Sequence, residues 1–161
     1  MIRNLVLATA LFAPLAATAQ ELPSAPYFPL DLAIQAADAA LKACAAEGHN
    51  VSVAIVTRDG ATKVLLKADN SGPQTVTSAQ GKAFTSAAMG RDTAGLAEFI
   101  ASQPSNNGLR DMDSRMVIQA GGLPIRFGDA LVAGIGVGGA PTGAIDAGCA
   151  VAGLQVIGAA E

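Results

Sequence analysis

From Asp31 onward, apolar residues recur at three- and four-residue spacing: Ile34, Ala37, Leu41 and Cys44. That period predicts an amphipathic helix, capped by Asp31 or its neighbour and ended by Gly48. The period then changes to two. In Val51-Ser52-Val53-Ala54-Ile55-Val56, alternate residues face opposite sides, which predicts a strand. Asp59-Gly60 is a hairpin turn signal, and Lys63 to Lys67 is the return strand. A loop from Ala68 to Thr75 leads into a second helix, capped by Thr77 or Ser78 and running through Lys82, Phe84 and Met89. A short helix is expected over Gly95 to Ala101, and Gln103 to Asp113 reads as a polar loop. Arg115 to Ala120 reads as a third strand, followed by a Gly121-Gly122 turn. Leu123 to Phe127 and Ala130 to Val137 form a second hairpin across Gly128-Asp129, and a last helix runs from Ile145 to Ile157.

These elements predict an α+β domain, an antiparallel sheet of about five strands flanked by helices, in the order α-β-β-α-β-β-β-α. Gly134, Gly136 and Gly138 share one parity on the last strand. That face has no side chains, so something must approach its backbone closely. A packed helix is the expected occupant, with the Ala-rich final helix as the candidate. A neighbouring subunit and a flat ligand are the alternatives.

The chain begins differently. Arg3 is a positive n-region, Leu5 to Ala17 is almost unbroken apolar sequence, and Ala17-Thr18-Ala19 is a small-x-small cleavage site. This order is that of a secretory signal peptide over residues 1–19. The apolar run is shorter than the roughly 20 residues that span a bilayer. The expectation is export to the periplasm or medium, with no stable membrane insertion after cleavage. Residues 20–29, with Pro23, Pro26 and Pro29, read as an extended arm, and residues 30–161 as a single domain.

The formal net charge is −3, and one unit more negative once Arg3 is removed. An acidic chain lacks the basic footprint that nucleic acid or an anionic lipid surface requires. Aromatic residues make up only 4% and there is no Trp, so the core must be built from aliphatic side chains. Cys44 and Cys149 are not a CxxC pair. In an oxidising compartment they form a disulfide or remain two buried thiols. A bridge would close a loop of about 105 residues, with an upper value of roughly 4–5 kcal/mol.

Few motifs carry chemistry. Gly134 to Gly139 matches G-x-G-x-x-G, but no βαβ unit follows before the chain ends, so a dinucleotide site is rejected. There is no G-x-S-x-G. The carboxylates are scattered, and Asp111 and Asp113 read as solvated. His49 is the only histidine, placed between a helix stop and a strand, where exposure is the ordinary outcome. Gly72-Pro73-Gln74-Thr75 delivers the chain to a helix N-terminus, a natural place for an anion. Lys82 would add a point charge there, but an ordinary capped helix with a solvated lysine is the better reading of the residues alone.

Taken together, Gly48 to Val56, Asp69 to Thr75, Ser78-Ala79-x-x-Lys82-Ala83-Phe84-Thr85 and Gly121 to Ile125 resemble the GlcG/HbpS family of haem-binding proteins. Val132 to Ala140, then Asp146 before a Cys-Ala helix, continue the resemblance across the mature chain. The resemblance implies a profilin- or roadblock-like domain, homo-oligomers, and haem as the cofactor. It also implies an iron contact from a threonine near the start of the second helix. Thr75, Thr77 and Thr85 stand nearest that place, with His49 as the other axial candidate and Lys82 or Arg126 as partners of the propionates. Two positions depart from the usual pattern. Gly81 stands where a basic residue is common, and Phe84 where tyrosine is common, which removes a charge and a hydroxyl.

The reading that results is an exported haem-binding protein that scavenges, buffers or serves a sensor. A non-catalytic partner of a periplasmic oxidoreductase or sensor is the alternative. A protein that binds or modifies a small organic acid is the third, disfavoured because no acid–base pair is visible.

Overall fold

The computed structural model describes residues 24–160. The signal peptide read at 1–19 and the first four residues of the arm lie outside the described residues. Nine elements follow in order, eight of them carrying labels: α1 (Leu30–Ala46), β1 (Ser52–Thr57), β2 (Thr62–Lys67), α2 (Gln74–Met89), α3 (Thr93–Ser102), a 3-10 helix (Pro104–Asp111), β3 (Gly122–Phe127), β4 (Ala130–Gly138) and α4 (Gly143–Val156). One antiparallel sheet has the strand order β2-β1-β4-β3. Among the described residues, no helix is long and apolar enough to cross a membrane.

The α+β class holds, with four strands in this sheet. Arg115–Ala120 is not a strand, and the reason lies in its hydrogen bonds. The Val117 amide donates to the Thr85 hydroxyl at 2.9 Å, and the Gln119 carbonyl accepts from the Thr93 hydroxyl at 2.6 Å. Side chains of α2 and α3 thus satisfy backbone groups that a strand ladder would have used. Gly81 permits this path, because an added Cβ would strike the Val117 side chain and come within 2.9 Å of the Arg115 carbonyl. The chain bends through residues 119–121, with Gly121 at φ +115°, and Gly122 is no part of that bend. The Gly121 carbonyl already accepts from the Val137 amide at 2.9 Å, and Gly122 opens β3. Helix starts also differ from the expected caps: α1 begins after Pro29 and α2 after Pro73, neither with a side-chain cap.

Both faces of the sheet are covered through small residues. On one, α1 buries Ala33, Ala36, Ala37, Ala40 and Cys44, while Ile34 is left half exposed. The alanine stripe wins because α4 lies close: a Cβ on Gly153 would press the Ala36 carbonyl at 2.5 Å. Cys44 and Cys149 are joined there by a disulfide, with Cα atoms 5.4 Å apart. Val53, Ile55, Ile125, Ile135 and Val137 complete this core.

The bare glycine face of β4 is covered by a helix, but by α2 and not by the final helix. Ala79, Ala83 and Ala87 of α2 pack with Ala54 and Val56 over it. An added Cβ on Gly136 would land on the Ala79 carbonyl and the Ala83 amide, which are backbone and cannot swing aside. Gly136→Ala is therefore expected to cost about 1–3 kcal/mol by overpacking. Urea denaturation checks this. The midpoint should fall with an unchanged slope, whereas a loss below roughly 0.5 kcal/mol, the scale of an ordinary surface change, would contradict the close approach.

Candidate functional site

Lys82 lies inside the molecule. It is 1% exposed, and its Nζ donates to Asp146 Oδ2 at 2.7 Å and to the Val137 carbonyl at 2.9 Å. Asp146, 3% exposed in the first turn of α4, accepts through its other oxygen from the Ala140 amide at 3.0 Å. The helix N-terminus favours a carboxylate at that place. The pair passes beside Gly121, where an added Cβ would come within 2.7 Å of Asp146 and 3.0 Å of Lys82. It ties α2 to α4 around the start of β3. Lys82 is not solvated, and its ammonium is taken up by Asp146 and the Val137 carbonyl.

The three candidate threonines are separated by what their hydroxyls already do. Thr75 is buried, with its hydroxyl 2.7 Å from Ser52 Oγ and 2.8 Å from the Gly72 carbonyl. Thr85 is buried, donating to the Gly81 carbonyl at 2.8 Å and accepting from Val117. Thr77 is exposed, and its hydroxyl has no partner among the described residues. Only Thr77 presents oxygen lone pairs outward.

Thr77 stands at the rim of a cavity of about 270 Å³. Val56, Phe84 and Val117 supply its apolar lining, and Thr62 and Arg115 its polar edge. A second cavity of about 210 Å³ adjoins it, sharing Gly60, Phe84 and Arg115 and adding Arg58. The two make one groove across the Phe84 ring. The Arg115 guanidinium lies 4.0 Å from the centre of that ring, a cation–π contact. Arg58 donates to the carbonyls of Ala87 and Ala88 near the end of α2.

Asp113 orients Arg115 with a fork of two bonds: Nε to Oδ1 at 3.0 Å and Nη2 to Oδ2 at 2.7 Å. The Arg115 amide adds a third at 2.9 Å. The side-chain bonds from Arg115, then the backbone bond, pull the Asp113 carboxyl from its ordinary 3.8 to about 2. Its folded pKa is below the unfolded one, so the stability from this pair is complete above about pH 4 and lost as pH falls through about 2. The Asp113 carboxyl carbon resonance should therefore titrate near pH 2. A midpoint at the ordinary 3.8 would show that the fork does not form in solution.

The remaining candidates do not join this groove. His49 is half-buried in the turn between α1 and β1 and lines none of the cavities described. Arg126 donates to the Gly90 carbonyl at 2.9 Å and lines a different cavity. Arg58, Phe84 as a platform, Asp113 and Arg115 escape sequence reasoning as site residues. The available signal is the scarcity of aromatics: one Phe in an otherwise small and polar helix stands out.

The groove thus combines apolar lining, the Thr77 hydroxyl, unpartnered among the described residues, and the guanidinium groups of Arg58 and Arg115. The family model for haem degrading protein HbpS-like matches residues 28–155. A double mutant of Streptomyces reticuli HbpS superposes with a TM-score of 0.80 at 41% identity, covering 91% of this chain and 98% of that one. Klebsiella pneumoniae ORFY gives a TM-score of 0.81 at 23% identity, covering 90% of this chain and 100% of that one. A PduOC:haem complex gives 0.77 at 22%, covering 84% and 98%. The last two show a shared fold. No match was found among the curated proteins.

Proposed function

Since the chain belongs to the HbpS-like haem degrading protein family, we propose that it binds haem in the groove across Phe84. The family match over residues 28–155 carries the reading. PduOC, a structure of the same fold, is known as a haem complex. The residues present fit the group. Val56, Phe84 and Val117 would meet the porphyrin, Thr77 the iron, and Arg115 and Arg58 the propionates. When bound, haem would supply a Lewis-acidic iron centre, which the Thr77 hydroxyl would help to hold. The protein's own part is to shelter one porphyrin face from water and to neutralise the acidic edge. Arg58, held by the Ala87 and Ala88 carbonyls and by no carboxylate among the described residues, carries the uncancelled charge for that task, and Asp113 fixes Arg115 beside it.

The finer reading is an exported protein that scavenges or buffers haem, or hands it to a sensor. An open groove suits a ligand that is taken up and released. The Cys44–Cys149 bridge supports export, since such bridges persist in oxidising compartments. Leu30 and Ile34, one turn apart on α1 and 52% and 47% exposed, support assembly into homo-oligomers.

A hemin titration of residues 20–161, followed by visible absorbance, tests the proposal. A saturable Soret shift at one haem per chain is expected. Thr77→Val should weaken it by up to about ten-fold, the scale of one such polar contact, and His49→Ala should leave it unchanged. No shift in the wild type would overturn the proposal and favour a protein partner instead.

A further inference from the structure

We propose a second site, separate from the groove across Phe84, for an amphipathic carboxylate: a small molecule with an apolar body and one acidic head. The site is a cavity of about 490 Å³ at the β3 edge, between α4 and the turn joining α2 to α3. It shares no lining residue with either cavity across Phe84. Leu123, Pro124 and Val151 supply apolar surface, and Arg91 and Arg126 stand at its rim.

Both arginines are anchored by backbone carbonyls rather than carboxylates. Arg126 donates to Gly90 at 2.9 Å and to Asp129 at 3.4 Å, and Arg91 donates to Gly95 at 3.4 Å. A carbonyl fixes a guanidinium without cancelling its charge, and five N–H donors leave several to spare. Neither arginine is in an ion pair among the described residues. The one carboxylate lining the cavity, Asp92, is turned to the start of α3, where it accepts from the Gly95 amide at 2.6 Å. Two cations without a carboxylate partner among the described residues therefore line the cavity beside an apolar floor, Arg91 also lying 5.3 Å from the centre of the Phe99 ring.

The edge strand itself argues against a peptide as the occupant. The Gly122 amide donates to Thr93 at 2.9 Å, and the Arg126 carbonyl accepts from Ala160 at 3.1 Å. Pro124 stands between them and has no N–H to offer. The edge is closed to strand addition, so an extended peptide strand does not pair there, and the cavity's size and charge favour a small molecule. The volume lies within the usual range for such ligands, about 300–1,000 Å³.

Octanoate is the probe, titrated calorimetrically into residues 20–161 with and without saturating hemin. Saturable binding is expected, at an affinity unaffected by hemin, weaker at high salt, and absent for octanol. Arg91→Gln and Arg126→Gln should each weaken it by about ten-fold or more, as loss of a charge-assisted bond does. Arg126→Lys, which keeps the charge, should retain most of it. Arg91 is exposed and carries the test if the Arg126 variants do not fold. Absence of saturable binding, indifference to Arg91→Gln, equal binding of octanol, or displacement by hemin would each overturn the proposal.

Discussion

Lys82→Met lowers folding stability by about 3–5 kcal/mol, the scale of breaking one partner of a buried ion pair. The pair sits in nearly complete burial, with side-chain exposures of 2% and 4%, so water does not replace the lost partner. Asp146 would keep a single hydrogen bond, from Ala140, to offset a buried negative charge. The loss is a large part of the roughly 5–15 kcal/mol that holds a typical domain together. The converse test separates a broken pair from lost packing. Lys82→Met combined with Asp146→Leu should be far less damaging than Lys82→Met alone, because two apolar side chains leave no stranded charge. Urea denaturation of the three variants reads this directly. If the double variant is as unstable as the single ones, packing around Lys82 and not the charge is responsible.

Reduction of the Cys44–Cys149 bridge is the second large effect. The two cysteines are 105 residues apart, so the bridge constrains most of the unfolded chain. The expected loss is about 2–5 kcal/mol, with the upper end set by loop length. The bridge joins α1 to α4 at a contact built from alanine and glycine, which offers little apolar area to compensate. Thermal denaturation with and without reductant, repeated on Cys44→Ala/Cys149→Ala, measures it. The reduced wild type and the double variant should melt together and well below the oxidised protein. Coincidence of all three would mean that the bridge contributes nothing.

Local features of the chain were legible, and long-range ones were not. The hairpins at Asp59-Gly60 and Gly128-Asp129 are set by glycines whose φ values, +81° and +57°, other residues avoid. The bare face of β4 announced a close approach, since three glycines at one parity have no other economical explanation. Which Ala-rich helix makes that approach is a question of chain path, and α2 and α4 look alike in composition. The run from Arg115 to Ala120 has strand-like residues, but its hydrogen bonds are taken by Thr85 and Thr93, many positions away. Lys82 reads as solvated because its partner, Asp146, is 64 residues further on. The site was legible only in part. Thr77 was among three threonines of equal standing until the hydroxyl partners of Thr75 and Thr85 separated them. The stacking of Arg115 on Phe84 depends on the same irregular segment that sequence periodicity misread.

The most direct test of the central claim is where haem sits. Ferric hemin is paramagnetic and broadens the amide resonances nearest to it, so one spectrum of the labelled protein, with and without hemin, maps the seat. Broadening centred on Gly60, Thr77, Phe84 and Arg115 is the predicted result. Broadening centred on His49 or on Arg126, with the Phe84 region unchanged, would contradict it.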